Sequence, residues 1–220
     1  MAADPPGHAG DPTEDPAFLA RLRRRDEAAF NDLVRRWEGP IHQVVYRILG
    51  DPGEAEEVAQ EVFVTAFKAI DGFRGDAKLS TWLYRVAVNH SKNRLKYLRR
   101  RARERHGELT EDRDPGAATV STVSVPTHAS VPGPEASAVG RQVEALVQQA
   151  MAGLDEEHRT LIVLRDVEGL TYQAIQEITG LAEGTVKSRL HRARLALQAG
   201  FEALSAAPTD AEGGPGGDPP

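Results

Sequence analysis

Apolar residues recur along this chain at three- and four-residue intervals, the spacing that gathers them on one face of a helix. No stretch alternates residue by residue as a half-buried strand would. The pattern predicts a short helix near Pro16–Arg25 and a longer one over Ala28–Leu49, stopped by Gly50-Asp51-Pro52-Gly53. In a third helix, Glu54–Ile70, Val58, Val62, Ala66 and Ile70 make an apolar row with Ala59, Phe63 and Phe67 beside it, while Glu57, Glu61, Thr65 and Lys68 make a polar row. After a loop over Asp71–Lys78, a long helix is expected from Ser80 to Arg105, capped by Ser80 or Thr81. Leu79, Trp82, Leu83, Val86, Tyr84, Val88 and Leu95 make its first half apolar on two sides, so that half belongs inside a bundle. Residues 106–137 show no period. Beyond them one helix is expected to end at Met151 and another to span Asp155–Val167.

The stretch Gly169–Leu197 reads as helix, tight turn, helix. Thr171 caps a helix over Tyr172–Thr179, Gly180 supplies a turn that tolerates positive φ, and a second helix starts near Ala182. Val186, Leu190, Ala193 and Leu197 form its buried stripe, which turns Ser188, His191, Arg192 and Leu195 outward, with Gly184 and Thr185 joining them near the start. Lys187 and Arg194 lie on one flank and Arg189 on the other. Inserted into a major groove by its N-terminal end, this helix would offer Thr185, Ser188 and Arg192 to base edges, and Lys187 and Arg189 to phosphates. The plainer reading of the periodicity alone is a solvated basic helix in an ordinary bundle.

At 220 residues the chain suits two small domains better than one large core. No apolar run approaches membrane-spanning length and the N-terminus lacks a signal-peptide core, so a cytoplasmic protein with no direct membrane insertion is expected. The absence of cysteine excludes disulfides and thiolate metal sites. A net charge of −6 argues against nucleic acid until its distribution is considered. Nine Lys or Arg fall between Leu79 and Arg105 against one acid, Glu104, and local field decides where a polyanion docks. The composition divides the chain into a disordered tail (1–14), a first helical block (15–105), a flexible linker (106–137), a second block (138–204) and a second disordered tail (205–220).

Two further surfaces follow. Arg74, Lys78, Ser80, Thr81 and Trp82, then Arg85, Asn89, His90, Lys92 and Asn93, lead into the basic run KYLRRRARER. Polar donors, an aromatic and cations in succession suit separated DNA strands, although Trp82 taken singly fits a core role better. The acidic face of the preceding helix, with Asp51, Glu54, Glu56, Glu57 and Glu61, would repel DNA and calls for solvent or a basic protein partner.

DEAAFNDLVRRW, GDPGEAEEVAQEVFVTAFKAI, FRGDAKLSTWLYRVAVNHSKNRLKYLRRR and GLTYQAIQEITGLAEGTVKSRLHRARLAL stand in the order and spacing of a known family. Over about residues 26–105 and 140–200 the chain resembles bacterial sigma factors of the sigma-70 class, specifically the extracytoplasmic-function group. The resemblance implies an all-α fold of two small helical domains, sigma-2 and a helix-turn-helix sigma-4, on a flexible linker. It implies docking of Asp51, Glu54, Glu57, Gln60 and Glu61 on the β′ clamp helices of core RNA polymerase, with a second contact at the β flap. Loop Phe73–Lys78 with Ser80, Thr81, Trp82, Arg85, Asn89, Lys92 and Asn93 would meet the promoter −10 element, capture a flipped base and help melting. Helix Glu183–Leu197, through Gly184, Thr185, Lys187, Ser188, Arg189, His191 and Arg192, would read the −35 element. An anti-sigma factor, often membrane-bound, commonly holds such proteins inactive. Gln176 stands where a small residue is usual, and Thr179 where Leu is common.

Two other function classes fit the sequence less well. A free-standing helix-turn-helix regulator would carry a dimerisation element and a ligand or phosphoacceptor domain, and neither is evident. For an enzyme, the histidines are scattered and no Gly-rich phosphate loop follows a strand. No catalytic residue, metal or cofactor is expected.

Overall fold

The computed structural model describes residues 12–107 and 138–206, which are helical with no strand among them. The expected tails up to residue 11 and from 207, and the linker over 108–137, lie outside the described residues. Eight α-helices are defined: α1 (Pro16–Arg23), α2 (Glu27–Leu49), α3 (Pro52–Ala69), α4 (Leu79–Gly107), α5 (Ala138–Ala152), α6 (Glu156–Ile162), α7 (Tyr172–Thr179) and α8 (Glu183–Ala206).

Aspartates start four of these helices by accepting a backbone N–H that has no partner within the helix. Asp15 accepts from Ala17 at 2.8 Å, Asp26 from Ala29 at 3.0 Å, Asp51 from Glu54 at 2.8 Å and Asp155 from His158 at 2.9 Å. Gly50, at φ 80°, ends α2 in the left-handed region, where a side chain would be strained. The expected cap of α4 is not the observed one. Its first turn closes on Lys78, whose carbonyl accepts from the Trp82 N–H at 3.1 Å, so Ser80 and Thr81 stand inside the helix.

The first unit packs α2, α3 and α4 around Trp37, which is fully buried. Leu33, Ile41, Val44 and Ile48 of α2 meet Val58, Val62 and Ala66 of α3 and Leu79, Leu83 and Ala87 of α4 in one core. Each large aliphatic side chain withdrawn from water there stabilises the fold by about 1.5–3 kcal/mol. The Tyr84 ring stands edge-on to Trp37, with centroids 5.7 Å apart. The indole N–H of Trp37 donates to Thr13 at 3.3 Å. Residues 12–14, expected in the tail, therefore form a 3-10 turn docked on the first unit.

In the second unit α5, α6 and α7 pack on α8 through Leu161, Leu164, Ile175, Val186 and Leu190. The helix expected over Asp155–Val167 widens to a π turn at Val163–Val167, and Gly169 at φ 66° turns the chain into α7. The widened turn ends beside the first unit, where the Tyr84 hydroxyl donates to Glu168 at 2.6 Å. Arg159 donates to the carbonyl of Ile48 at 2.7 Å, and Arg99 pairs with Glu156 at 3.2 Å. The two helical units thus touch, with α7 against α4 and α6 against α2.

Candidate nucleic-acid interface

Three surfaces were expected, and the structure assembles each differently. The helix-turn-helix is formed by α7 and α8. Thr171 accepts from the Ala174 N–H at 3.2 Å, and Gly180, at φ 74°, donates to the carbonyl of Gln176 at 2.8 Å. Thr179, where Leu is common, donates to the carbonyl of Ile175 at 2.7 Å and accepts from the Leu181 N–H at 3.4 Å, so it tightens the turn by hydrogen bonding rather than by packing. Gln176 is half-buried.

Val186, Leu190 and Ala193 anchor α8, which leaves Gly184, Ser188, His191, Arg192 and Leu195 exposed and Thr185 half-exposed. The flanking cations are held by acids of this chain: Lys187 by Glu183, Arg189 by Glu157, and Arg194 by Asp166. Lys187 also lies over the Tyr172 ring, 5.2 Å from its centroid. Arg192 has no carboxylate partner among the described residues, and its Nε reaches only the Ser188 carbonyl, at 3.4 Å. The outward centre of α8 therefore keeps unspent donors while its flanks are neutralised in place.

Arg85, Asn89, Lys92 and Asn93 recur at helical spacing along α4 and form one polar row; Asn89 and Asn93 are exposed and the two cations half-exposed. Arg74 is exposed on the preceding loop, beside Gly75 at φ 83°. Trp82 is partly buried, its ring tilted against Phe73 with centroids 5.3 Å apart. The carbonyl of Phe73 accepts from Arg23 at 2.6 Å, which ties the loop to α1. Ser80 and Thr81 do not reach the surface; they are 4% and 6% exposed.

One cation of α4 screens part of the acidic face of α3, and several of its carboxylates remain exposed to solvent. Arg94 of α4 reaches Glu54 at 3.0 Å, Glu57 at 2.9 Å and Glu61 at 3.3 Å. Burial alone would lower the Arg94 pKa, but the three glutamates hold it above its ordinary value. His90 contacts Glu61 at 3.2 Å and Thr65 at 2.9 Å. Glu57 and Glu61 remain more than half exposed, Gln60 is exposed, and Asp51 is spent as the α3 cap. Nothing in the sequence singles out Arg94 for this role, since it lies within a run of cations.

A sigma-70 region 2 family model matches residues 33–104, which hold the acidic face and the polar row of α4, and a sigma-70 region 4 model matches residues 144–197, which hold the helix-turn-helix. The RNA polymerase sigma-H factor of Pseudomonas aeruginosa is 35% identical over 193 residues, covering 87% of this chain and 95% of that protein. The ECF RNA polymerase sigma factor SigW of Bacillus subtilis is 34% identical over 180 residues, 82% of this chain and 92% of that one. The chain belongs to the extracytoplasmic-function sigma factors. Its fold is that of CnrH, solved in complex with the cytosolic domain of CnrY, at a TM-score of 0.60 and 24% identity over 86% of this chain and 98% of that one. The sigma factor RpoE of Bartonella quintana, solved with the anti-sigma factor NepR, aligns at a TM-score of 0.56 and 21% identity over 79% of this chain and 96% of that one. The sigma factor is therefore a transcription initiation factor that binds core RNA polymerase and directs it to promoters. No helix among its described residues is long and apolar enough to cross a membrane.

Proposed function

We propose that this sigma factor divides its three tasks among α8, α4 with its preceding loop, and α3. In this reading Thr185, Ser188, His191 and Arg192 face −35 base edges, while Gly184, Lys187 and Arg189 lie against phosphates, the two cations exchanging their glutamates for DNA. Arg74, Lys78, Trp82, Arg85, Asn89, Lys92 and Asn93 receive the separated −10 strand, with Ser80 and Thr81 shaping the floor beneath it. Asp51, Glu54, Glu57, Gln60 and Glu61 present the face for the β′ clamp helices, and the second unit meets the β flap. The protein works in the cytoplasm without catalysing a reaction, a metal or a cofactor, and an anti-sigma factor, membrane-bound or free, is its regulatory partner.

The observation that carries the reading is the contrast on α8: Arg192 points outward with guanidinium donors to spare, between flanks whose charges are already paired. That arrangement suits sequence reading at the centre of the helix and salt-sensitive phosphate contact at its edges. The test is transcription from a promoter library by core RNA polymerase with and without the protein. Protein-dependent starts sharing elements near −35 and −10 are expected. Tight duplex binding by the protein alone, without initiation, would instead establish a free-standing regulator.

A further inference from the structure

α4 begins without a cap of its own. Four backbone N–H groups at a helix start lack intrahelical acceptors, and Lys78, on whose carbonyl the first turn closes, has no acceptor side chain. The acceptors come from far away in sequence. Glu14 takes the Leu79 N–H on one carboxylate oxygen and the Ser80 N–H on the other, both at 3.1 Å. Its neighbour Thr13 is 2% exposed and accepts from the Trp37 indole, so the turn that carries Glu14 is fastened to the core.

We propose that Glu14 is a positioning residue for the −10 element. Held there, the carboxylate fixes the register at which loop 73–78 enters α4, and with it the direction in which Arg74 and Trp82 face a separated strand. A negative charge at the positive end of the helix also favours this geometry. The proposal rests on the −10 reading of that loop and helix. It carries a sign that a purely electrostatic role would not: deleting an acid beside a polyanion site should strengthen DNA binding, whereas deleting a positioning group weakens melting.

The test uses the full chain with core RNA polymerase and reads promoter opening by permanganate reactivity of −10 thymines. Variants are Glu14→Ala, Glu14→Gln and the pair Arg74→Ala with Trp82→Ala. Amide exchange at Leu79 and Ser80 reports the cap directly. Glu14→Ala is expected to speed exchange at both amides and to slow opening about tenfold, the scale of losing two charge-assisted cap bonds. Core affinity and −35 duplex affinity should stay unchanged. Glu14→Gln keeps side-chain volume and one good acceptor, and should restore most of the rate. Opening at or above the wild-type rate in Glu14→Gln, with those two amides exchanging faster, would overturn the proposal even if Glu14→Ala failed to fold. If the Arg74 and Trp82 variant opened normally too, the −10 assignment itself would fall; if it alone lost opening, that assignment would stand without Glu14.

Discussion

Arg192 and its neighbours differ in the work their surroundings allow. A guanidinium with no acid beside it can turn both N–H edges to a guanine, whereas one already paired must give up a carboxylate first. Arg192→Ala is therefore expected to cost about 1–3 kcal/mol of discrimination at one −35 position, measured as affinity for matched and mismatched duplexes. Arg189→Ala should instead weaken all duplexes alike and reduce the slope of log affinity against log salt by about one. Uniform loss in the Arg192 variant would move that residue to the phosphates. Thr171 is a different kind of residue, structural and local. Removing its hydroxyl frees the Ala174 N–H, and Thr171→Ala should lower unfolding stability by about 0.5–2 kcal/mol in urea titration.

At the scale of elements, what could be read in advance was what is coded locally. The limits of α7 follow from Thr171 and Gly180, a cap and a left-handed stop written at its two ends. The inward and outward faces of α8 follow from its periodicity, since Val186, Leu190 and Ala193 are buried and Ser188, His191 and Arg192 are not. What escaped is non-local. The cap of α4 lies 65 residues upstream of Leu79 at Glu14, so Ser80 and Thr81, plausible caps by composition, sit buried in the first turn instead. The π turn at Val163–Val167 leaves no mark in the hydrophobic pattern. Arg94 pairs across two helices, and only packing of α3 on α4 reveals that one cation bridges three acids of that row. That pairing sharpens the prediction for this face. Changing Glu57 and Glu61 to Lys places two cations beside Arg94, so it should weaken core polymerase association while leaving −35 duplex affinity of the chain unchanged. Association is to be measured by competition for labelled core, and unaltered binding would remove α3 from the interface.

For the whole molecule, the contact between its two units sets a geometric conflict. Elements about 25 base pairs apart are separated by about 85 Å of duplex at 3.4 Å per pair. A folded body of the size of the described residues has a radius of gyration of about 15 Å. On the proposed assignment of the −35 element to α8 and the −10 element to α4, the units cannot reach both on straight DNA with α7 against α4, and promoter reading then requires them to part. Among the described residues, the bonds that resist parting include Tyr84 to Glu168, Arg159 to the Ile48 carbonyl, and Arg99 to Glu156, beside a shared apolar core. The first of them involves a carboxyl shifted by its surroundings. Burial pushes the Glu168 carboxyl up, against the opposing pull of the Tyr84 hydroxyl and the Arg47 charge. Parting returns that carboxyl to water and to its ordinary value, so the closed state binds the proton more tightly. Its contribution is complete below the ordinary carboxylate range and is lost as pH rises through the raised value. The cysteine-free sequence lets one introduced cysteine per unit carry a fluorophore without background labelling. Energy transfer between the labels should fall as pH is raised through that window. Glu168→Gln, which stays neutral, should hold the transfer level across it. A wild-type signal that stays flat with pH would show that Glu168 does not govern the contact, leaving Arg159 and the apolar packing of α7 on α4 to hold the units together.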